Sequence, residues 1–136
     1  MRKKFYMFLL LMFVAAGFVS ALEILDNDYA VIMRIRGNEI QNGNYRTIGW
    51  IRGNEIQNHN YETIGRIRDN EIQNGNYRTI GRIKGNEIQN HNYETILQLR
   101  NNEILDGNYR TIVRLRRATP EQVRMAAILL VIFMNP

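Results

Sequence analysis

Pairs of glutamates are the first residues of this chain whose type and spacing suggest chemistry. Glu55 and Glu62 are seven residues apart, as are Glu87 and Glu94. On a hairpin that turns midway between them, the members of each pair face one another, and paired carboxylates are the catalytic groups of glycosidases. Both pairs nevertheless lie in near-identical stretches, on a face that we expect to be exposed, with no signature of a catalytic cleft. We therefore interpret them as a solvated row of charge and expect no enzymatic activity.

The two histidines, His59 and His91, occupy the same place in stretches that begin 32 residues apart. Two histidines without further ligands at a fixed spacing fall short of the ligand set of a metal site. Histidine is also one of the residues that tolerate a positive φ, so a place in a turn accounts for both. We expect neither a metal ion nor a cofactor.

Trp50 is the only tryptophan, and it stands where the other copies of the repeat described below have Arg or Gln. An exposed tryptophan can stack on a sugar or on a protein partner. The alternative is that its ring covers neighbouring side chains, since single apolar residues are common at protein surfaces. Trp50 is the one residue that we single out as a possible ligand contact.

A repeat of 16 residues positions all of these side chains. Between residues 21 and 116 the chain divides into six blocks without insertion or deletion. The common text of the four middle blocks is GNEIQNxNYxTIxxIx, and the first and last blocks are looser copies. We number positions within a block from one to sixteen. A fixed short period predicts one supersecondary unit per copy, with neighbouring copies burying what one copy cannot. The blocks begin at Ala21, Gly37, Gly53, Asp69, Gly85 and Asn101.

Each block has two turn signals and two apolar stretches, which predicts antiparallel hairpins. Asn42 and Gly43 suit the centre of a two-residue type I′ turn, which would set Ile40 against Tyr45. The next turn centres on Gly53 and Asn54 and sets Ile51 against Ile56. Ile at position four, Tyr at nine, Ile at twelve and Ile or Leu at fifteen then form the predicted core. In this prediction the tyrosines are a buried structural column: Tyr29, Tyr45, Tyr61, Tyr77, Tyr93 and Tyr109.

One detail departs from the alternation of a regular strand, because Ile48 and Ile51 would point to opposite faces. A β-bulge at Gly49 would restore the register. Leu97 and Val113 replace this glycine in later blocks. In those blocks the alternative is that both faces of the strand are buried. Glu at position three and Arg or Lys at sixteen recur in every block, and we interpret them as cross-turn partners on a charged rim.

The two ends of the chain differ from the repeat. Residues 1–21 have a basic start, an apolar run and small residues before Leu22, which predicts a secretory signal cleaved after Ala21. Removal of Arg2, Lys3 and Lys4 lowers the formal charge from +5 to +2, and the remaining charges are interleaved along the chain, so we expect no nucleic-acid partner. The chain has no cysteine, so no disulfide supports the fold.

Residues 22–116 form the predicted repeat domain, and residues 117–136 a helix followed by an apolar closing segment. Thr119, Pro120 and Glu121 are typical of a helix N-terminus. The apolar run of residues 125–134 is about half as long as a bilayer crossing requires. We expect it to be a buried closing helix or strand; membrane insertion or docking on a partner is the alternative.

The repeat resembles the five-fold β-flower family of exported bacterial proteins. The resemblance rests on Asn42 and Gly43, on the segments 47–49 and 104–107, and on the Ala-Ala and apolar run within 125–134. It implies a radial, propeller-like closed arrangement of hairpins in an all-β fold, and it implies no established activity. The chain departs from five-fold symmetry because it has six blocks, although cutting at the Asn-Gly turns gives five hairpins and two half units that would close the ring. A linear β-solenoid is the alternative architecture.

These observations predict an exported, periplasmic or extracellular, non-enzymatic repeat protein that acts as a structural or interaction module. A carbohydrate-binding or adhesive domain is one alternative, and a protein that acts on membranes through its apolar tail is another. The expected partner is a protein or a glycan, with no membrane contact beyond export. The ligand and the oligomeric state are left open.

Overall fold

The computed structural model describes residues 21–134, and the predicted signal lies almost wholly outside them. Twelve strands and one helical segment follow one another along the chain. The strands are β1 Leu22–Leu25, β2 Val31–Arg36, β3 Glu39–Asn42, β4 Thr47–Arg52, β5 Glu55–Asn58, β6 Thr63–Arg68, β7 Glu71–Asn74, β8 Thr79–Lys84, β9 Glu87–Gln89, β10 Thr95–Arg100, β11 Glu103–Asp106 and β12 Thr111–Leu115. Helix α1, Pro120–Leu129, continues into a π-helical turn, Leu130–Met134.

The strands form one closed antiparallel sheet. Each strand pairs with its neighbours along the chain, and β1 pairs with β12 through Ile24 opposite Leu115 and Leu25 opposite Arg114. The first and last half units therefore close the ring, and the sheet has no free edge. The predicted radial closed arrangement is confirmed with six units, and the linear solenoid alternative is wrong.

Turns of two residues join the strands at one end of the ring, as predicted. Ile51 pairs with Ile56 and Arg52 pairs with Glu55 across Gly53 and Asn54. Gly53 has a φ of 60°, which glycine adopts without steric cost. We call this end the glycine rim; it consists of the turns at residues 37–38, 53–54, 69–70, 85–86 and 101–102.

The turns at the other end, which we call the tyrosine rim, are longer than predicted. The backbone N–H of Tyr45 donates to the Asn42 carbonyl (3.2 Å), and the N–H of Asn42 donates to the Arg46 carbonyl (2.9 Å). Tyr45 has a φ of 67°. A turn followed by one left-handed residue is the usual three-residue hairpin loop. Ile40 consequently pairs with Gly49, and the prediction that it faces Tyr45 is wrong.

Asn42 decides this outcome through its side chain. Its Oδ1 accepts hydrogen bonds from the backbone N–H groups of Asn44 (2.8 Å) and Arg46 (3.1 Å). Such a side-chain turn stabilises the longer loop. The same pair of bonds recurs in all six blocks, with the acceptors Asp26, Asn42, Asn58, Asn74, Asn90 and Asp106.

A β-bulge follows each of these turns. Opposite Ile40 and Gln41 the pairing passes from Gly49 to Thr47, so Ile48 is the extra residue. The same shift occurs in every block, including those in which Leu97 or Val113 replaces the glycine. The predicted bulge therefore exists, one residue before Gly49, and it does not require glycine.

The inner face of the ring carries positions four and thirteen. All six isoleucines of position four are fully buried: Ile24, Ile40, Ile56, Ile72, Ile88 and Ile104. Positions twelve and fifteen are mostly half-buried and pack against them. Position thirteen, which the sequence analysis did not assign to the core, is buried in every block: Met33, Gly49, Gly65, Gly81, Leu97 and Val113.

The C-terminal segment, residues 120–134, fills the interior of the ring, and we call it the plug. Thr119 caps α1 in a reciprocal arrangement with Gln122, which confirms the predicted helix start. The plug residues that join the core cluster are Val123, Ala126, Ala127, Ile128, Leu129, Leu130 and Val131. The prediction that the apolar run is buried is therefore confirmed. None of the helices among residues 21–134 is long and apolar enough to cross a membrane.

The plug crosses the ring from one side to the other. Helix α1, at the start of the plug, contacts β10 and β11. The far end of the plug, beyond the helix, reaches β4 and β6. A Cβ atom at Gly49 would lie 2.9 Å from Cζ of Phe133, and one at Gly65 would lie 2.5 Å from Cδ1 of Ile132. The two glycines therefore make room for the end of the plug.

Candidate functional site

The tyrosine rim presents six aromatic rings to solvent. Each tyrosine side chain is 58–67% exposed, because it stands within the turn, beyond the last paired residues of the strands. The prediction that these residues form a buried column is wrong. The six rings are the largest exposed apolar feature of the described residues: Tyr29, Tyr45, Tyr61, Tyr77, Tyr93 and Tyr109.

All six tyrosines have a left-handed backbone, with φ between 66° and 67°. A bulky side chain is rarely found there, because its Cβ approaches the following carbonyl oxygen. Glycine or asparagine would occupy this position with less strain. The tyrosine rim therefore has a residue with a strained backbone at the same exposed position in all six blocks.

Arginines at position fourteen hold four of the rings from the preceding block. The guanidinium carbon of Arg34 lies 3.8 Å from the centre of the Tyr45 ring, and that of Arg66 lies 3.9 Å from Tyr77. The other two contacts are Arg82 on Tyr93, at 4.3 Å, and Arg114 on Tyr29, at 5.1 Å. The last contact joins the final block to the first, across the closure of the ring.

The same arginines also bind backbone and carboxylate groups. Arg34 Nη1 donates to the Gly43 carbonyl (3.1 Å), and its Nε lies 3.5 Å from a carboxylate oxygen of Glu23. Arg66 makes the equivalent contacts with Gly75 (3.0 Å) and Glu55 (3.6 Å). Arg34 and Arg66 thus link the glutamate of their own block to the turn and the tyrosine of the next block.

Trp50 takes the place of the arginine in the second block. Its ring stacks on Tyr61 with centroids 5.8 Å apart and planes 7° apart, and Arg52 approaches the same tyrosine at 5.8 Å. The indole Nε1 is buried and has no hydrogen-bond partner among the described residues. The structure therefore brings Trp50 together with one tyrosine, and its contact with a ligand stays a prediction.

Tyr109 differs from the other five tyrosines. Gln98 stands at position fourteen of the preceding block. Within residues 21–134 no guanidinium group or aromatic ring stacks on Tyr109, and yet its φ is 66°. Stacking on a neighbour therefore does not account for the left-handed tyrosine in this block.

The glutamate pairs do not come together. Glu55 pairs with Arg66 across the sheet, and the side chain of Glu62 accepts a hydrogen bond from Asn58 Nδ2 (2.8 Å). Glu87 pairs with Gln98, and Glu94 is bound by Asn90 in the same way. The prediction that the paired glutamates face one another is wrong, because the longer loop moves Glu62 and Glu94 out of the strand pairing.

His59 and His91 are exposed in turns of the tyrosine rim. The positive φ in these turns belongs to Tyr61 and Tyr93 instead, so backbone tolerance does not explain the histidines. Over residues 21–134 no three His, Cys, Asp or Glu side chains are grouped so as to hold a metal ion.

Asp106 is the turn acceptor of the last block, and the turn stabilises its carboxylate. The backbone N–H of Arg110 donates to its Oδ1 at 3.0 Å, and that of Asn108 donates at 2.8 Å. Because these bonds favour the carboxylate, the bond from Arg110 above all, they hold the pKa of Asp106 below its ordinary value. The hydrogen bonds of the last block's turn therefore favour the charged form of its acceptor.

The sequence analysis missed the partnership between positions fourteen and nine. Its signal was present, because Arg stands 11 residues before the next tyrosine in three of the five possible places, and Trp50 and Gln98 interrupt the pattern. The contact runs between neighbouring blocks, on the outer face, whereas the predicted hairpin assigned the tyrosine to the inner face. Because the tyrosine was assigned to the wrong face of the sheet, the regular 11-residue spacing between arginine and tyrosine was not recognised as a contact.

Comparison with known proteins supports this architecture at the level of the family. No curated protein and no solved structure was found to match the chain. Residues 20–134, which include every strand and the plug, match the family model described as 5-fold beta-flower protein. The chain therefore belongs to the beta-flower family, with six units in its ring.

Proposed function

We propose that this protein is a non-enzymatic interaction module that presents six copies of one tyrosine-centred contact surface at its tyrosine rim. The observation that carries the proposal is the left-handed backbone of six tyrosines that are 58–67% exposed. Strained residues persist where the surrounding structure holds them, and they concentrate at functional sites. Tyr109 sharpens the point, because it keeps this conformation without a stacking partner among the described residues.

The interior of the ring offers less support for a ligand site. Small-molecule sites are usually concave and lie where a closed sheet leaves a cavity. Here the plug occupies that place with buried side chains such as Leu129 and Leu130. A function at the outer surface is therefore favoured over one in the interior.

The repetition suits binding of a repetitive partner. Six weak contacts on one rigid ring act together, because each binding event after the first is effectively intramolecular, and avidity can exceed single-site affinity by about 10²–10⁴-fold. Such a gain requires a partner that offers the same group many times. A polymer or a dense surface meets this requirement, whereas a small soluble molecule does not.

A glycan is the partner class that we favour as the second, narrower candidate. The exposed ring of a tyrosine can stack on the apolar face of a sugar, and its hydroxyl and the asparagines beside it supply polar contacts. Neighbouring tyrosine turns are separated by two inter-strand spacings, about 10 Å, which is roughly the length of a disaccharide. Trp50 and Tyr61 add a stacked pair of aromatic rings beside this rim.

Export is part of the proposal. Its support is the basic start, the apolar run and the small residues within residues 1–21. Cleavage after Ala21 would leave every strand whole, because β1 begins at Leu22. A glycan ligand at a cell surface or in the periplasm is consistent with this route.

The test compares glycan binding by the mature chain and two triple variants. In the first variant, Tyr45→Asn, Tyr77→Asn and Tyr109→Asn remove three rings but keep a residue that tolerates positive φ. In the control, the same positions become Phe, which keeps the rings. We measure binding of each protein to an array of polysaccharides. We expect the Asn variant to bind at least about tenfold more weakly than the parent chain and the Phe control to bind nearly as well, with both variants folded. Equal binding by the Asn variant, or its unfolding, contradicts the proposal.

Trp50→Ala tests the narrower candidate separately. If the Trp50 and Tyr61 pair is the main sugar contact, this single change lowers binding to the same polysaccharide by about tenfold, as for a stacked aromatic hot spot. Retained binding would exclude Trp50 as a contact while leaving the six tyrosines in place. If neither the parent chain nor the Phe control binds any polysaccharide, the proposal of a glycan partner is wrong.

A further inference from the structure

The glycine rim carries a ring of cations, of which Arg52 alone approaches a tyrosine ring among the described residues. Position sixteen supplies one exposed cation from each of the six blocks: Arg36, Arg52, Arg68, Lys84, Arg100 and Arg116. Two further exposed arginines lie at the same end. Arg117 precedes Ala118, whose N–H donates to Asn102 Oδ1 at 2.9 Å, and Arg124 lines the same surface depression as Arg100.

The glutamates at position three, which are nearest to this ring, form hydrogen bonds and ion pairs on the outer wall of the sheet. The Thr79 hydroxyl donates to Glu71 (2.9 Å) and the Thr95 hydroxyl to Glu87 (2.8 Å), on the outer wall of the sheet. Where these position-three glutamates form ion pairs, most are with arginines of position fourteen. Among the described residues, Arg116 is the one cation of the ring with a carboxylate within 4.0 Å, that of Glu23 at 3.7 Å.

Folding separates charges that are interleaved along the sequence. The position-three glutamates are the strand partners of the ring cations, but threonines and arginines bind their carboxylates on the outer wall. With these glutamates assigned to the outer wall, eight Lys and Arg side chains and two carboxylates, Asp69 and Glu121, remain at the glycine rim, a formal excess of six positive charges. The tyrosine rim has the opposite balance. It carries Arg46, Arg78 and Arg110 against Asp26, Asp28, Glu62, Glu94 and Asp106. The small net charge of the mature chain therefore conceals a molecule with a strongly basic end.

We propose that the glycine rim docks on the surface of an anionic lipid bilayer. Twelve strands about 4.8 Å apart give a ring with a perimeter of about 60 Å, and every second strand contributes one cation beside a glycine-rim turn. A flat array of phosphate groups meets all six at once, whereas a linear polyanion contacts the ring along one line. Each Lys or Arg near such a surface adds to the attraction, within the short range that salt permits.

The contact is electrostatic and leaves the fold intact. The exposed large apolar side chains of the described residues are the six tyrosines and Met134, and none of them belongs to the glycine rim. The apolar run that the sequence analysis considered for insertion lies inside the ring. Docking through one rim turns the tyrosine rim away from the lipid. The proposal does not depend on what the tyrosines bind.

The sequence analysis predicted no membrane contact beyond export, because the tail was the one segment considered for contact with lipid. The interleaved charges were used there to exclude a nucleic-acid partner. A period of 16 places every sixteenth-position cation at the same end of a closed ring, so the interleaved order disappears in three dimensions. The surface that results is segregated by sign.

The experiment is cosedimentation of the chain from Leu22 onward with lipid vesicles. Vesicles of phosphatidylcholine are compared with vesicles that contain about 30% phosphatidylglycerol, at low and at high salt. We expect binding to the anionic vesicles alone, and we expect salt to weaken it. Absence of binding at low salt, or equal binding to both kinds of vesicle, overturns the proposal.

Two matched variants locate the contact. Arg36→Gln, Arg68→Gln and Lys84→Gln remove three charges from the glycine rim, whereas Arg46→Gln, Arg78→Gln and Arg110→Gln remove three from the tyrosine rim. Both variants have the same net charge, and all six residues are exposed. We expect vesicle binding to fall more than about tenfold in the first and less than about twofold in the second. Equal losses, or tighter binding to a duplex oligonucleotide than to vesicles, overturn the proposal.

Discussion

At the scale of single residues, the left-handed tyrosines raise a question of compensation. A non-glycine residue in this conformation costs about 1–2 kcal/mol. A cation over an exposed aromatic ring returns about 0.5–1 kcal/mol. Arg34 on Tyr45 and Arg66 on Tyr77 therefore offset part of the strain, whereas Tyr109 has no such contact among the described residues. The two kinds of tyrosine should respond differently to substitution.

We predict that Tyr109→Asn raises the free energy of unfolding by up to about 1 kcal/mol, because asparagine relieves the strained backbone and no stack is lost. Tyr45→Asn should be less favourable than Tyr109→Asn by about 0.5–1 kcal/mol, because it also removes the contact with Arg34. Urea denaturation of both variants measures the difference. Equal changes in the two blocks would show that the arginine stack contributes nothing to stability.

The same scale explains why the tyrosine rim was predicted incorrectly. Asn42 followed by Gly43 is the usual centre of a type I′ turn, and that pattern placed the tyrosine in the core. The asparagine side chain instead binds the N–H groups of Asn44 and Arg46, which lengthens the loop. Both outcomes use the same dipeptide. The sequence therefore predicts a turn here, and side-chain hydrogen bonding decides which turn forms.

At the scale of elements, the glycines at position thirteen of the second and third blocks follow from the path of the plug. Gly49 and Gly65 stand where Phe133 and Ile132 arrive, whereas Leu97 lies in β10, which the start of α1 contacts. Gly49 and Gly65 thus stand where the end of the plug presses closely on the sheet, whereas Gly81 is surrounded by strand residues. The repeat pattern did not reveal this, because the partner of each position is a segment outside the repeat.

We predict that Gly65→Ala destabilises the protein by about 1–3 kcal/mol through overpacking. The three atoms nearest to an added Cβ all belong to Ile132, at 2.5, 2.9 and 3.2 Å. The combined variant with Ile132→Ala should therefore lose less stability than the sum of the two single changes. Thermal and urea unfolding of the three variants form the double-mutant cycle. Strict additivity would contradict the proposed contact.

Gly81→Ala is the control for this cycle. It occupies the same position in the next block, but the nearest atom to an added Cβ is 3.3 Å away, and none of the three nearest atoms belongs to the plug. Its effect should be smaller than that of Gly65→Ala and independent of Ile132. The comparison separates contact with the plug from the general cost of a larger residue in the sheet.

At the scale of the whole molecule, the number of strands makes the plug necessary. About eight strands enclose an interior that their own side chains can fill. Twelve strands enclose a wider space, and three of the six side chains at position thirteen are only hydrogen atoms. The period of 16 and the apolar tail together predicted a closed all-β ring and a buried tail. They did not predict that the tail is the core of that ring.

The plug should therefore decide whether the ring folds at all. Five large side chains of the plug are buried: Val123, Ile128, Leu129, Leu130 and Val131. At about 1.5–3 kcal/mol each, they contribute on the order of 10 kcal/mol. That amount is comparable with the total stability of a small domain, about 5–15 kcal/mol. We predict that a chain ending at Arg117 binds a hydrophobic dye and loses cooperative thermal unfolding.

Leu129→Ala gives a graded form of the same prediction in a chain that still folds. Leu129 is fully buried in the plug, and its truncation should lower the free energy of unfolding by about 2–5 kcal/mol, because it leaves a cavity inside the ring. Met134→Ala is the matched change at an exposed plug residue and should cost less than about 0.5 kcal/mol. If the shortened chain unfolds cooperatively at the parent temperature, or if both substitutions cost the same, the sheet is stable without its plug and the argument from ring width is wrong.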